Sequence, residues 1–196
     1  MIAVIDYKAG NLTSVMKALH AIDAEATATS DPEVVMGADK LVLPGVGHFS
    51  ATKFLEEHGL KSAIQQRIQA GVPFLGICVG LQWLFEGSTE SPETRGLGAF
   101  EGSCERFSGE LKVPHVGWNS LTVTDSRLME GVPDGAFVYY THSFQAPVVN
   151  RTVAVTEYGV PFTAAVERDN VMGVQFHPEK SGLVGLRILE NFVRLA

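Results

Sequence analysis

The chain has 196 residues, of which 45% are hydrophobic and 19% charged, a composition typical of globular proteins and not of disordered ones. Its net charge is −7, and it contains no basic block, so nucleic acid and anionic membranes are not expected as partners. A chain of this length favours a single domain, taken here as residues 1–196.

No secretory or membrane segment is indicated. Residues 1–6 lack the basic start of a signal peptide, and the most apolar stretch, residues 71–85, is too short to span a membrane. The two cysteines, Cys78 and Cys104, cannot form a disulfide framework, which suggests a reducing compartment. We therefore expect a cytoplasmic protein.

The first half of the chain alternates short apolar runs with helical patterns, which predicts a parallel sheet flanked by helices. Asn11 is expected to cap the first helix, and Asp31 before Pro32 begins a short second one. A longer helix is predicted over residues 60–70. Strands are predicted at residues 2–6, 25–29, 40–43 and 73–77.

The second half is richer in strands. Asp169 and Asn170 separate two of these runs and predict a tight hairpin turn. A final helix is predicted from about Ser181, with Leu186, Leu189, Phe192 and Val193 on one apolar face. Strands are predicted at residues 98–106, 119–123, 136–141, 152–156, 162–167 and 172–176. The whole pattern predicts an α/β fold of three layers, in which helices flank a mixed, mostly parallel central sheet.

The strongest local feature is the Gly-Ile-Cys-Val-Gly segment centred on Cys78, between an apolar strand and a helical run. A nucleophile on a sharp strand-to-helix turn requires small neighbours, and the start of the following helix favours a thiolate. The alternative is a buried cysteine that packs as a small hydrophobe. Cys104, within an alternating strand, is interpreted as such a core residue.

A cysteine nucleophile requires a base, and His177 follows a predicted strand directly. Because Pro178 favours an extended residue before it, His177 and Glu179 are expected on one side of the chain, with Cα atoms about 6.6 Å apart. The carboxylate could then orient the imidazole toward the thiol. The alternative is a surface turn with an incidental histidine. His142 has no carboxylate close behind it and is interpreted as either a decoy base or a substrate-side residue.

The Pro-Gly-Val-Gly segment at residues 44–47 follows another predicted strand. Its glycines allow backbone N–H groups to face a bound oxygen, which suggests an oxyanion hole, although a simple turn would look the same. The segment lacks the residues of a phosphate-binding loop. No pair of cysteines or histidines has metal-ligand spacing, so we expect no metal site and no cofactor.

Taken together, these segments resemble the triad glutamine amidotransferases, and within them the glutaminase subunits of imidazole glycerol-phosphate synthase. The resemblance covers almost the whole chain, although Val79 and Leu81 replace the more usual Leu and Met, and residues 88–97 carry little information. The segments that carry it are residues 10–12, 44–47, 76–82, 114–119 (Pro-His-Val-Gly-Trp-Asn) and 173–181.

The resemblance implies a role for each matched residue. Cys78 would be the nucleophile, His177 the general base and acid, and Glu179 its orienting carboxylate. The activity would be hydrolysis of glutamine to glutamate and ammonia through a glutamyl thioester. The oxyanion hole would be formed at Val46, Gly47 and Val79. Glutamine would be bound by Gly45, Gln82, His142, Ser143 and Phe144.

The resemblance also implies a partner, because ammonia released into water becomes unreactive ammonium. In the family a (β/α)₈-barrel synthase subunit forms a heterodimer with the glutaminase and receives its ammonia. The interface residues would be Asn11, Trp118, Tyr139 and Lys180. Two alternatives remain open, namely the glutaminase of another synthase, such as pyridoxal-phosphate synthase, and a non-catalytic regulatory relative.

Overall fold

The structure is a computed structural model that describes residues 1–195. Its α-helices are α1 (Leu12–His20), α2 (Pro32–Met36), α3 (Lys53–Glu57), α4 (Leu60–Gln69), α5 (Val79–Leu84) and α6 (Gly182–Arg194). Short 3₁₀ helices lie at Phe49–Thr52 and Pro178–Lys180.

A large mixed sheet forms the centre of the molecule. Within the described residues its strands run in the order β2 (Ala26–Thr29), β1 (Ile2–Ile5), β3 (Lys40–Leu43), β4 (Phe74–Ile77), β13 (Val171–Val174), β12 (Val160–Arg168), β11 (Thr152–Tyr158) and β8 (Thr122–Val123). Pairings from β2 to β13 are parallel, and those from β13 to β8 are antiparallel. This arrangement, with its flanking helices, confirms the predicted α/β class.

Two smaller sheets accompany the large one. One consists of β5 (Gly87–Ser88), β6 (Ser103–Arg106) and β10 (Phe144–Gln145), and the other pairs β7 (His115–Ser120) with β9 (Phe137–His142). The second is an antiparallel ribbon in which Trp118 lies opposite Tyr139 and His115 opposite His142.

The parallel pairing explains how distant parts of the chain meet. Every residue of β1, β4 and β13 is buried, as expected for parallel strands covered on both faces. Because these strands and β3 point the same way, the segments that follow them leave the sheet at one edge. Cys78 follows β4 directly, and its N–H donates to the Val174 carbonyl of β13 at 2.8 Å. The segment after β13 therefore begins beside the cysteine.

Most predicted elements are present, and the turn at Asp169 and Asn170 does join antiparallel strands. The capping prediction for Asn11 is wrong in its chemistry: this residue precedes α1, but with φ 76° and no side-chain hydrogen bond to the helix. The strand predicted at 98–106 begins only at Ser103. The strand predicted at 119–123 is divided between β7 and β8, which belong to different sheets.

Candidate active site

Cys78 lies on a sharp turn between β4 and α5, with φ 54° and ψ −106°. A methyl group on Gly76 would lie 2.4 Å from the Gly80 carbonyl oxygen, and one on Gly80 would lie 2.0 Å from the Leu43 carbonyl oxygen. Both obstacles are backbone atoms, so neither can move aside cheaply. The two glycines are therefore required for α5 to approach the sheet closely enough to form this turn.

His177 and Glu179 form a buried pair, in which His177 Nδ1 lies 2.7 Å from Glu179 Oε1. Because a carboxylate only accepts, Nδ1 carries the proton and Nε2 is left toward Cys78. The pair is brought together across a 3₁₀ turn that begins at Pro178, and not along the extended segment that the sequence suggested. Asn11 Nδ2 donates to the same carboxylate oxygen and lies 3.5 Å from His177 Nδ1.

Burial and the neighbouring side chains shift the pKa of His177 in opposite directions. Burial alone would lower the pKa of its imidazole, but Cys78 and Glu179 together outweigh burial and raise this pKa. Within residues 1–195, Nε2 of His177 makes no hydrogen bond, so the effect of Cys78 is one of proximity in this free chain. Such loose contacts are common before substrate binds.

A cleft of about 180 Å³ opens beside Cys78, small compared with the roughly 300–1,000 Å³ of drug-sized sites. Seven of the residues that line the cleft are among those predicted for oxyanion or substrate binding: Val46, Gly47, Val79, Gln82, His142, Ser143 and Phe144. Gly45 instead lies behind the wall, where a methyl group on it would lie 1.9 Å from the Tyr7 hydroxyl.

The loop at residues 44–47 covers the start of α5. The Val79 N–H, a predicted oxyanion donor, donates to the Gly45 carbonyl at 3.4 Å. Gly47 has a left-handed backbone, with φ 112°. Tyr7 packs beneath this loop, and burial, together with the nearby Cys78, raises the pKa of its hydroxyl. In this arrangement the Val79 amide is occupied by the protein itself.

The far wall of the cleft is held by a chain of hydrogen bonds. Gln82 Nε2 and His142 Nδ1 both donate to the Phe144 carbonyl, at 3.0 and 2.8 Å. His115 Nδ1 lies 3.0 Å from His142 Nε2, and the Asn119 amide lies 3.4 Å from His115 Nε2. Burial lowers the pKa of His115 to about 4 and that of His142 to about 3, so both rings are neutral near pH 7.

Two residues near Cys78 escaped the sequence analysis. Glu90, within the stretch judged uninformative, lines the cleft, and its carboxylate accepts from the Phe49 N–H at 2.8 Å. Gln175 is fully buried, and its Nε2 lies 3.7 Å from Cys78 Sγ. Two signals could have identified Gln175: it lies within residues 173–181, which carry the family resemblance, and it directly follows a buried parallel strand. His48, beside the Gly-rich loop, caps the 3₁₀ helix at Phe49 through Ser50.

The four predicted interface residues lie near the β7–β9 ribbon and the His177 turn. Trp118 is 55% exposed, and its ring packs edge-on against Tyr139 at 6.0 Å. The Lys180 ammonium lies 5.8 Å from the centre of the Tyr139 ring. The exposed side chains of Val116 and Phe137 extend this apolar face. Behind it, the His177 N–H donates to the Tyr139 carbonyl at 2.9 Å.

Other kinds of site find no support in the described part of the chain. Across residues 1–195, no group of three or more His, Cys, Asp or Glu side chains could hold a metal ion. Among the helices of the same residues, none is both long and apolar enough to cross a membrane. Cys104 is fully buried in β6, as predicted for a core residue.

Comparison with known proteins gives a consistent result. A family model described as glutamine amidotransferase class-I matches residues 3–196. The chain is 52% identical to a Thermococcus kodakarensis protein named imidazole glycerol phosphate synthase subunit HisH, with all of both chains covered. It is 50% identical to the protein of that name from Methanothermobacter thermautotrophicus, covering 100% of this chain and 98% of the other.

Solved structures agree at the level of the fold. A crystal structure of a glutamine amidotransferase superimposes with a TM-score of 0.77 at 22% identity, covering 98% of this chain and 99% of that chain. A Trypanosoma brucei CTPS glutaminase domain with bound acivicin superimposes with a TM-score of 0.67 at 14% identity, covering 100% and 94%.

Proposed function

Because this chain belongs to the class I glutamine amidotransferases, among the glutaminase subunits of imidazole glycerol phosphate synthase, we propose that Cys78, His177 and Glu179 hydrolyse glutamine in it. The activity is that of a glutaminase that supplies ammonia for histidine biosynthesis. The observation that carries the assignment of residues is the buried His177–Glu179 pair beside Cys78, at the edge of a cleft. Residues 1–196 act as one amidotransferase domain in a cytoplasmic enzyme.

The reaction proceeds in two halves. The Cys78 thiolate attacks the side-chain carbonyl carbon of glutamine, and the new C–S bond leaves a negative charge on the carbonyl oxygen. Protonated His177 gives its Nε2 proton to the amide nitrogen as the C–N bond breaks, which releases ammonia and leaves a glutamyl thioester. Neutral His177 then takes a proton from water, whose oxygen attacks the thioester and releases glutamate and thiolate.

Glu179 supports both halves by accepting a hydrogen bond from the Nδ1 N–H of His177. This bond fixes the tautomer that presents Nε2 to the reaction, and the negative charge stabilises the imidazolium that forms. The raised pKa of His177 favours a charged imidazole before glutamine binds. Asn11 donates to the same carboxylate and limits its movement.

The negative oxygen requires N–H donors, and the Val79 amide with an amide near Val46 or Gly47 are the proposed ones. Since Val79 donates to the Gly45 carbonyl in the free chain, the loop must rotate this carbonyl away before the amide can serve. Such a rotation is a two-state change that partner binding can bias. We therefore expect low glutaminase activity in the isolated chain.

The rest of the cleft suits the amino-acid end of glutamine. The Glu90 carboxylate is the charge complement of an α-ammonium group, and backbone N–H groups at Ser143 and Phe144 are the proposed donors to the carboxylate end. The NH₂ group of Gln82 is used within the wall, so its side-chain oxygen is the atom left to accept from the α-ammonium group. His142 supports this wall from behind through the Phe144 carbonyl. Gly45 contributes by its small size, which admits the Tyr7 hydroxyl.

The partner is the other subunit of imidazole glycerol phosphate synthase, with a (β/α)₈-barrel fold, joined in a heterodimer. It docks on the exposed apolar face around Trp118 and Tyr139, with Asn11 and Lys180 at its edge. Exposed aromatic side chains of this kind are enriched in protein interfaces. Enclosure of the site by the partner would keep ammonia from being protonated in water.

A nitrogen-source experiment tests this function. Cys78→Ala should abolish product formation by the mixed subunits with glutamine, and leave formation with added ammonium salt unchanged. Equal loss with both nitrogen sources would contradict the proposed division of labour. Addition of the partner and its acceptor ligand to the wild-type chain should raise glutamine hydrolysis at least about tenfold, equivalent to about 1.4 kcal/mol of coupling.

The relatives do not favour the two alternatives. The similar curated proteins are named as subunits of imidazole glycerol phosphate synthase and not of a pyridoxal-phosphate enzyme. A non-catalytic relative would have no need for a buried imidazole–carboxylate pair beside a cysteine, because burying such charges is costly. Measurable glutamine hydrolysis that depends on Cys78 excludes the non-catalytic alternative.

A further inference from the structure

The Gln175 side chain makes a hydrogen bond to the Cys78 sulfur. It follows β13, is fully buried, and its Nε2 lies 3.7 Å from Sγ, within hydrogen-bond range for sulfur. None of the roles assigned above involves this residue. A fully buried amide directed at a nucleophile requires an explanation, because a buried amide is costly unless its polar atoms are paired.

The orientation of the Gln175 amide is fixed by its neighbours. The Phe144 carbonyl can only accept, so the Gln82 group that lies 3.0 Å from it must be the NH₂ group. The same Gln82 nitrogen lies 3.2 Å from Gln175 Oε1, which must therefore be the oxygen. It follows that the NH₂ group of Gln175, and not its oxygen, faces the sulfur.

We propose that Gln175 is a further catalytic residue, whose side-chain N–H donates to the Cys78 sulfur and stabilises the attacking thiolate. The proposal deepens the glutaminase function and rests on it for the identity of the nucleophile. An N–H donor favours a negatively charged sulfur over a thiol, which is a weak acceptor. Gln82 and Phe144, in the wall of the cleft, hold the Gln175 amide in the orientation that directs its NH₂ group at the sulfur.

Four titratable groups also lie near Cys78, and their effects on the sulfur can be distinguished from that of the Gln175 amide. His177 is the group whose charge changes with that of the sulfur. The pKa of Tyr7 is raised and that of His142 is lowered, so both side chains are neutral near pH 7. Glu90 contributes a carboxylate on the cleft wall. A substitution of Gln175 leaves all four in place, so a change in sulfur reactivity reports on the amide.

The test is the pH dependence of Cys78 alkylation by iodoacetamide in the full-length free chain, with the modified residue identified by mass spectrometry. Cys104 is fully buried and serves as an internal reference. Gln175→Met removes the donor, and Gln175→Glu keeps the shape but replaces the donor by a charged acceptor. Asn191→Asp is the matched control, because this buried amide on α6 lies outside the cleft and donates to the Leu128 and Glu130 carbonyls.

Gln175→Met should slow alkylation on the acid side of the profile about threefold to tenfold, because the thiolate loses one hydrogen-bond donor. Gln175→Glu should slow it further, and Asn191→Asp should follow the wild type. Profiles of both Gln175 variants that coincide with the wild type would overturn the proposal, as would an equal shift in Asn191→Asp. If the wild-type chain mixed with its synthase partner failed to hydrolyse glutamine, the proposed function would be refuted instead, while the alkylation profiles would still report on the contact between Gln175 and Cys78.

Discussion

Gly80→Ala tests whether the close approach of α5 to β3 holds the nucleophile in place. The added methyl would lie 2.0 Å from the Leu43 carbonyl oxygen and must move by about 1.4 Å to reach ordinary contact at 3.4 Å. Overpacking of this kind costs about 1–3 kcal/mol, and a rigid backbone obstacle favours the upper end. Alanine recovers about 1 kcal/mol of helix propensity, which leaves a net loss of about 2 kcal/mol.

Two measurements check this prediction. In a chain of this size, thermal unfolding should shift downward by about 4–8 °C. Glutamine hydrolysis with the partner should fall about a hundredfold, because a displacement near 1 Å at the elbow misplaces the sulfur. Gly37→Ala is the matched control: its methyl would meet only atoms at 3.8 Å, so we expect a stability change within about 0.5 kcal/mol. Wild-type melting and activity in Gly80→Ala would refute the packing argument.

Three further substitutions address the charge pair, the histidine pair and the docking face. In the wild type the raised pKa of His177 contributes stability that is fully present below the unfolded pKa of about 6.5 and is lost as the pH rises through the folded pKa. In urea unfolding, the stability advantage of the wild type over Glu179→Gln should therefore shrink between about pH 7 and 10. A difference that stays constant over this range would contradict the His177–Glu179 pairing. His115→Phe keeps the ring packing but removes the N–H donor to His142. In steady-state kinetics the KM for glutamine should rise about fivefold or more, with a smaller change in kcat. A loss in kcat alone would contradict a role of His115 in the far wall of the cleft. Trp118→Ala should weaken partner binding, measured by calorimetry, by about 2 kcal/mol without lowering the melting temperature. Val148→Ala is the control, because Val148 is also exposed but lies outside the ribbon, and this variant should bind normally. Equal affinities of the two variants would exclude the proposed docking face.

The parts of the fold set by local chemistry were predictable. The Gly-x-Cys-x-Gly segment identified the turn at Cys78, and Asp31 before Pro32 identified the start of α2, where its carboxylate accepts from Glu33. The proximity of His177 and Glu179 was also predicted, although the chain achieves it through a 3₁₀ turn. Each of these features depends on a few neighbouring residues.

Errors arose where distant groups compete with local ones. Asn11 has the chemistry of a helix cap, but its side-chain NH₂ group donates to the buried Glu179 carboxylate, and its side-chain oxygen accepts from no N–H of the helix. Residues 98–102 look like a strand, yet the backbone amides of Gly98 and Phe100 donate to carbonyls at the end of α5 and not to a neighbouring strand. Such choices depend on tertiary contacts that periodicity does not contain.

The dependence on tertiary contacts also explains why two site residues were missed and one strand was misassigned. Gln175 matters because it contacts the Cys78 sulfur, and Glu90 because it lines the cleft beside Cys78; no spacing in the sequence joins either residue to the cysteine. Leu121 interrupts the strand predicted at 119–123 without any glycine or proline, because its buried N–H donates to the Ala136 carbonyl between two sheets.

The hydrogen bond from the His177 N–H to the Tyr139 carbonyl has an evolutionary consequence. It joins main-chain atoms, so it is insensitive to which side chains cover the outer surface of the ribbon. Aromatic or charged residues at that surface can therefore be exchanged to match a changing synthase while the imidazole keeps its anchor. Coevolution of the two subunits can then proceed through the docking face without disturbing the chemistry one peptide layer behind it.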